Sequence, residues 1–195
     1  EAAELAYFGA KVLHPKTIQP AVDRQIPVRV CNSHQPGEKG TMILPAAQTT
    51  PRLVKSIAYK KGITILHITS ARMLGAYGFM SAIFQIFERH RTVIDVVTTS
   101  EVSVSLTLDN TDSLESVVKD LQRIGTVSIE SNQAVVCVVG SGLRDTSGVA
   151  GKIFTAISDH NISLISHGAS SVNMTFVVKE EVVKDVIKRL HDQFF

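Results

Sequence analysis

Hydrophobic and polar residues alternate strictly in the middle of the chain, over the stretch "VSVSLTL" at residues 102–108. Its valines and leucines fall on one side and its serines and threonine on the other, which is the period of a half-buried strand. Just upstream, "VIDVV" at residues 93–97 is apolar and β-branched and predicts a second strand, which carries one carboxylate, Asp95. The polar stretch "TTSE", residues 98–101, is expected to form the turn between these strands.

Similar patterns predict regular elements along the rest of the chain. Further strands are expected over residues 26–33, 53–62, 63–71, 126–131, 134–140, 162–167 and 172–178. Helices are expected over residues 1–10, 77–91, 149–160 and 180–194, over a short piece after Pro15, and from a capping residue at Asp112 or Ser113 to Gly125. The segment 42–51 is rich in Pro, Ala and Thr and is expected to be a connector, with a domain boundary between residues 44 and 51.

The second half of this pattern repeats the first. A shift of 70 positions places Gly78 on Gly148 and Ser100 on Ser170, with no gap, and the order of elements matches as well. Each copy reads as a βαββαβ unit, an antiparallel sheet with both helices on one face. The second copy lacks its last strand, which residues 53–61 can supply from upstream. The sequence therefore predicts an α+β fold in which the first unit is inserted into the second.

Composition excludes several functions. Hydrophobic residues make up 44% of the chain and the formal net charge is +2, values that favour a packed core and give no nucleic-acid-binding footprint. No apolar run is long enough for a membrane span. The two cysteines are far apart in the sequence, which indicates a reducing, cytoplasmic location. The chain opens in a helical pattern without an initiator Met, so we expect it to be a piece of a longer protein.

Candidate chemistry lies in the loops that precede helices. The seven histidines lack ligand spacing, so no metal site is predicted, and no nucleophile motif occurs. In the loop at residues 70–80, Gly75 and Gly78 precede a helix whose first N–H groups suit an α-carboxylate, while Asp95 suits an ammonium. Alternatives remain: Asp95 as a solvated strand-end acid that pairs with a nearby Arg or Lys, "TTSE" as an ordinary hairpin turn, and the glycine-rich stretch from Gly140 as an anion site or a flexible loop.

Three strings resemble the aspartokinase family: "EAAELAYFGAKVLHPKTIQPA", "IPVRVCNSHQPGEKGTMI" and "TTSEVSVSLTL". The resemblance implies the end of an amino-acid-kinase catalytic domain at residues 1–45, a first ACT domain at 63–131, and a second ACT domain built from 51–62 and 132–195. It implies ATP, with Mg²⁺ in the full-length enzyme, and it puts Lys11 and Val12 of "FGAKVLHP" at the nucleotide. The family's other substrate motifs are absent, so we expect no catalytic residue here and no activity from this piece alone.

The resemblance also implies an allosteric effector, most simply L-lysine, held between the first ACT domains of a homodimer and causing feedback inhibition. The implied effector-binding residues are Met73, Ala76, Gly78, Phe79, Met80, Val93, Ile94, Asp95, Ser100 and Glu101. Gly75, Ala76 and Val93 offer no hydroxyl or imidazole, so contacts there would use the backbone. L-Threonine is the alternative effector, and a ligand-free dimerisation module and a stand-alone amino-acid sensor are the alternative functions.

Overall fold

The computed structural model describes residues 2–8, 13–44 and 52–195. The helices are α1 (Ala2–Tyr7), α2 (Pro15–Asp23), α3 (Phe79–Arg89), α4 (Leu114–Leu121), α5 (Val149–Ala156) and α6 (Val183–Phe194), with short 3₁₀ helices at Ala71–Met73 and Glu180–Val182. The strands are β1 (Val28–Val30), β2 (Thr41–Ile43), β3 (Val54–Thr69), β4 (Val97–Thr99), β5 (Ser103–Leu108), β6 (Thr126–Gly140), β7 (Leu164–His167) and β8 (Asn173–Lys179). Within these ranges, no helix combines the length and apolar character that a bilayer crossing requires.

The main sheet is antiparallel and has the strand order β4-β5-β3-β6-β8-β7. Its two central strands are long because each predicted pair of strands is one continuous strand, β3 and β6. The register shifts around Ile63, where Gly62 and Asn132 have φ values of 74° and 57°. These irregularities turn the strands without ending them, and the expected breaks at residues 62 and 132–133 are corrected accordingly.

The insertion predicted from the sequence is present in the strand pairing. The second half of β3 joins β5, β4 and the first half of β6, whereas the first half of β3 joins the second half of β6, then β8 and β7. Each set is a four-stranded βαββαβ sheet, and β3 contributes to both. The first unit is therefore enclosed by the strands of the second. We call these units the first copy and the second copy.

Each copy has its own helix-facing core, and a third core joins the two copies. The first helix-facing core lies between the sheet of the first copy and α3 and α4, and the second lies between the sheet of the second copy and α5 and α6. The inter-sheet core joins the faces opposite the helices, with Ile65 and Val96 from the first copy and Cys137 and Leu164 from the second. Each fully buried aliphatic side chain contributes roughly 1.5–3 kcal/mol, so the copies form one packed body.

The N-terminal helix packs against this body. Phe8 is buried in the inter-sheet core and Leu5 lies against it. The Asn173 amide donates a hydrogen bond of 2.6 Å to the Glu4 carboxylate. Residues 26–33, expected as one strand, form only the short β1, which pairs with β2 in the segment expected to be a connector.

The repeat is real but needs a gap. Ser70 and Gly140 both donate a 2.9 Å backbone hydrogen bond to a residue 32 positions later, Val102 and Val172, in agreement with the shift of 70. Between β4 and β7 the shift is 68, because Val97 pairs with Leu106 and Ile165 pairs with Phe176. The second hairpin turn is two residues longer, so the gapless alignment of the prediction is wrong between β4 and β7.

Candidate functional site

The loop between β3 and α3 is anchored at its start. Ser70 is buried, and its hydroxyl donates to the Ile124 carbonyl at 2.9 Å while its amide donates to Val102. Gly75 and Gly78 then have φ values of 66° and 79°, and Gly78 is the residue that caps α3. A side chain at such φ values is strained, so glycine is the residue that suits both positions. The loop therefore leads into the helix through two left-handed residues.

The start of α3 presents amide donors. The first helical hydrogen bond is donated by Ala82 to the Gly78 carbonyl, so the amides of Phe79, Met80 and Ser81 precede it. Together with the positive end of the helix dipole, such amides favour a carboxylate. Ala76 and Gly78 are exposed beside them, and Tyr77 is fully exposed.

Several of the predicted effector residues are partly buried apolar side chains. Met73, Phe79, Met80 and Ile94 all pack against the first helix-facing core. Val93 is 67% exposed and follows the C-terminal end of α3. We call Met73, Phe79 and Met80, which lie in the loop and at the start of α3, the apolar floor, whereas Ile94 packs against the same core beside Asp95.

Asp95 lies in a β-bulge that the sequence did not predict. The amide of Asp95 donates to the Thr107 carbonyl at 3.1 Å, and the amide of Val96 donates to the Thr107 hydroxyl at 2.9 Å. Asp95 and Val96 on one strand therefore both oppose Thr107 on the other, which is the arrangement of a β-bulge. Ile94 and Val97 also pack against the same core although they are three positions apart, which a regular strand would place on opposite faces. Because of the bulge, the strand predicted over 93–97 begins only at Val97.

Thr107 is the residue that sequence reasoning missed. The alternating pattern put it on the polar face of its strand, but it is fully buried. It pairs with Ile65, which belongs to the inter-sheet core, and paired residues share a face. The face that carries Thr107 is therefore covered by the second copy. In the sequence, nothing distinguishes Thr107 from Ser103 and Ser105 on the same face of the alternating pattern.

The stretch "TTSE" is part strand and part turn. Thr98 and Thr99 belong to β4, and the Ser100 amide donates to the Ser103 carbonyl at 2.8 Å, which closes a tight turn. Ser100 and Ser103 also share a hydroxyl contact of 2.6 Å, while Glu101 is exposed. The expectation of a four-residue polar turn is thus corrected.

The structure separates two groups of predicted residues within one chain. The turn at Ser100 and Glu101 lies near the start of the 70–80 loop, because Ser70 bonds to Val102. Asp95 precedes β4, whereas this turn follows it, and five extended residues span about 16 Å. One chain therefore does not bring Asp95 and Ser100 onto the same small molecule.

The matching loop of the second copy is closed by its own contacts. Leu143 is buried in the second helix-facing core, and its amide donates to the Ser171 carbonyl at 3.0 Å. The Thr146 hydroxyl donates to the Gly142 carbonyl at 2.8 Å, and Arg144 pairs with Asp145. These bonds hold the glycine-rich stretch from Gly140 to itself and to the turn before β8.

A histidine that follows the first helix pairs with an aspartate of the second helix in each copy. His90 contacts Asp120 at 2.9 Å and His160 contacts Asp185 at 2.8 Å. The hydrogen bond from His90 lowers the pKa of Asp120, and that from His160 lowers the pKa of Asp185. These pairs fasten helices to one another. Among the described residues, no group of His, Cys, Asp and Glu has the arrangement of a metal site.

Another row of polar side chains crosses three strands of the first copy. His67 contacts Ser105 through Nδ1 at 2.8 Å and Glu130 through Nε2 at 3.2 Å. Ser105 sits in the middle of β5, paired with both His67 and Thr98. A hydrolytic serine needs amide donors aimed at an oxyanion, and a mid-sheet position commits its amides to the strand ladders. The row therefore supports the sheet.

Cys137 is fully buried, and burial raises the pKa of its thiol to about 12, which agrees with a small core residue. Lys11 and Val12, the residues implied at a nucleotide, lie outside the described residues.

Comparison with protein families supports the fold. A model of the ACT domain matches residues 136–194, within the second copy. Aspartokinase 1, chloroplastic, of Arabidopsis thaliana is 40% identical over all of this chain, which covers 36% of its length. Lysine-sensitive aspartokinase 3 of Escherichia coli is 39% identical, again over all of this chain and over 45% of its own length. The chain thus spans less than half the length of these curated relatives.

Solved structures agree. E. coli aspartokinase III with aspartate and ADP (R-state) matches the whole chain and 45% of its own, with a TM-score of 0.90 at 39% identity. The same enzyme with lysine and aspartate (T-state) matches the whole chain and 44% of its own, with a TM-score of 0.86 at 40% identity. A candidate C-terminal regulatory domain of aspartate kinase from Porphyromonas gingivalis W83 matches 72% of this chain and 96% of its own, at 34% identity and a TM-score of 0.65. The chain therefore belongs to the aspartokinase family, as a C-terminal regulatory region that contains an ACT domain.

Proposed function

We propose that this regulatory region binds L-lysine in its first copy and that binding inhibits an aspartate kinase, which transfers phosphate from ATP to L-aspartate. The first and second ACT domains would be residues 63–131 and residues 51–62 with 132–195, preceded by a catalytic-domain portion at 1–45. The E. coli enzyme whose structure holds lysine and aspartate resembles the whole chain at 40% identity. That likeness supports lysine over other end products.

The observation that carries the proposal is the pairing of complementary groups at the two ends of β4. The amides at the start of α3 suit the α-carboxylate of an amino acid, and Asp95 suits an ammonium. Asp95 is half-buried beside Ile94, which packs against the first helix-facing core. A charge-assisted hydrogen bond there contributes roughly 1.5–3 kcal/mol. The apolar floor of Met73, Phe79 and Met80 suits the aliphatic part of lysine.

A second protomer would complete the site. β4 is a terminal strand of the sheet, and Asp95 and the 70–80 loop lie toward its opposite ends. Antiparallel approach of two β4 strands across a two-fold axis brings the acid of one protomer toward the loop of the other. We therefore propose a homodimer with two equivalent effector sites, to which Val93, Ser100 and Glu101 add contacts at the rim.

Catalysis would belong to the longer enzyme. We propose that Lys11 and Val12 contact the nucleotide there, with ATP used together with Mg²⁺, and that this region alone transfers no phosphate. Inhibition then requires an effector that binds one kinase state more tightly, typically by about 1–3 kcal/mol. A cytoplasmic location is part of the same proposal, whereas the Arabidopsis relatives are named as chloroplastic.

Isothermal titration calorimetry of the purified chain tests the proposal. We expect heat from L-lysine, little from L-threonine, and one lysine per protomer in a dimer measured by light scattering. A dimer that gives no heat with either amino acid, and a melting temperature that ignores both, would instead support a ligand-free dimerisation module. The exposed Tyr77 and Val93 near β4 are the features that favour this second candidate. Membership in the aspartokinase family leaves the kinase-independent sensor without support.

A further inference from the structure

Thr107 holds the backbone next to Asp95 by three hydrogen bonds. Its carbonyl accepts from the Asp95 amide at 3.1 Å, its amide donates to the Val96 carbonyl at 3.0 Å, and its hydroxyl accepts from the Val96 amide at 2.9 Å. Thr107 is 0% exposed. A buried hydroxyl is costly unless it is bonded, so its presence in this packed face calls for a partner, and the Val96 amide is that partner.

The second copy repeats the bulge without the hydroxyl. The Ser163 amide donates to the Val177 carbonyl at 2.9 Å, as the Asp95 amide does to Thr107, and Leu164 pairs with Val177. The bulge itself is thus a property of the repeat. Asp95 and the Thr107 hydroxyl, in contrast, occur together in the first copy and are replaced together, by Ser163 and Val177, in the second.

The Thr107 hydroxyl gives the Val96 amide a side-chain acceptor. A side-chain oxygen and a main-chain carbonyl lie at different places on β5, so an amide bonded to the former adopts a different orientation from one bonded to the latter. A bulge re-aims the side chain that it carries. A binding group performs best when a neighbouring hydrogen bond fixes its geometry to within about half an ångström.

We propose that Thr107 is a positioning residue that sets the direction of the Asp95 carboxylate, and that the acid and the hydroxyl form one effector-selecting unit. This inference rests on the proposed function, since it assumes that Asp95 binds the lysine ammonium. Thr107 itself touches no effector. Its replacement should therefore weaken recognition of the ammonium while leaving recognition of the rest of the amino acid intact.

The experiment compares L-lysine with L-norleucine, which lacks the side-chain ammonium, by calorimetry on the chain. We expect Thr107→Val to bind lysine about fivefold to tenfold more weakly, which is less than the loss expected from removing the Asp95 charge itself, with norleucine binding unchanged. Thr107→Ser keeps the hydroxyl and should restore lysine binding. Thr175→Val, the same change at a buried threonine of the second copy, should leave the lysine affinity unchanged. Val177 indicates that valine is compatible with this fold position.

The outcomes separate the two proposals. If the wild-type chain gives no lysine heat, the proposed function fails. Suppose that the wild-type chain binds lysine and that Asp95→Asn weakens this binding. If a folded Thr107→Val variant then has the wild-type lysine affinity, the positioning role is overturned. Thr107→Ala, which also lacks the hydroxyl and cannot overpack the core, gives the same decision should the valine variant not fold. In a double-mutant cycle, Thr107→Val should cost little once Asp95 is Asn, and additive losses would also contradict the inference.

Discussion

The two copies share a scaffold and differ in the chemistry placed on it. Both place a left-handed glycine before the first helix, Gly78 with φ 79° and Gly148 with φ 80°. Both fasten that helix through a histidine–aspartate pair, and both bulge the strand that follows it. The first copy adds an acid, Asp95, at the bulge, whereas the second has Ser163 there.

The loops before the first helix of each copy also differ, because the loop of the second copy is more tightly packed. In the second copy Leu143 is buried and the loop is closed by side-chain hydrogen bonds, whereas Met73 at the matching position is only half-buried. The first loop also exposes Tyr77 completely. Helix caps and bulges thus belong to the architecture, and ligand recognition depends on the few positions where one copy departs from the other. The predictions that follow test this division.

The largest difference is expected from truncating the matched loop residues. Leu143→Ala should lower the free energy of unfolding by about 2–5 kcal/mol, because it empties a site in the second helix-facing core. Met73→Ala should cost markedly less, since part of that side chain is already in water. Urea denaturation followed by circular dichroism measures both. Equal losses would mean that the two loops are packed alike.

The next largest effect is expected on lysine affinity when Asp95 is changed. Asp95→Asn should weaken L-lysine binding roughly tenfold to a hundredfold, the equivalent of losing a charge-assisted hydrogen bond. Ser163→Ala, at the equivalent bulge of the second copy, should leave the affinity unchanged, which calorimetry on both variants can establish. Unchanged binding in Asp95→Asn would move the ammonium contact to another residue.

A smaller and equal effect is expected at the two capping glycines. Gly78→Ala and Gly148→Ala meet no atom within 4 Å, so the cost is confined to the left-handed backbone, about 1–2 kcal/mol each. Thermal unfolding of the two variants tests the structural equivalence of the copies. A loss at one glycine and none at the other would contradict it.

The smallest effect is the acid sensitivity of the histidine–aspartate pairs. Both aspartates have a folded pKa below the ordinary value of 3.8, so their contribution is complete above the unfolded pKa and disappears as pH falls through the folded pKa. Asp120→Asn and Asp185→Asn should each reduce the loss of stability between about pH 5 and about pH 2. Melting temperatures measured across that pH range test this. If the melting temperature of both variants falls with pH as steeply as that of the wild type, the histidine–aspartate pairs do not cause the acid sensitivity.

Much of this fold follows from local patterns. The alternation of β5, the amphipathic helices and the repeat of elements indicated two βαββαβ units, one within the other, and strand pairing confirms that arrangement. The continuity of β3 and β6 was missed because Gly62 and Asn132 resemble strand ends, although a neighbouring strand supports the chain on each side of them.

The candidate site was less predictable, because it depends on contacts between copies. Alternation assigned Thr107 to a solvent face, but that face is covered by the inter-sheet core, where Ile65 lies beside it. The bulge at Asp95 could not be predicted from the pattern of apolar residues. The separation of Asp95 from Ser100 likewise follows from the direction of β4 and not from their closeness in the sequence.

The most direct test of the division between the copies is amide NMR of the chain during titration with L-lysine. We predict that the shifting signals cluster at residues 76–80 and 94–96, with the matching residues 146–150 and 162–164 unchanged. Shifts concentrated in the second copy, or spread equally over both, would contradict the account.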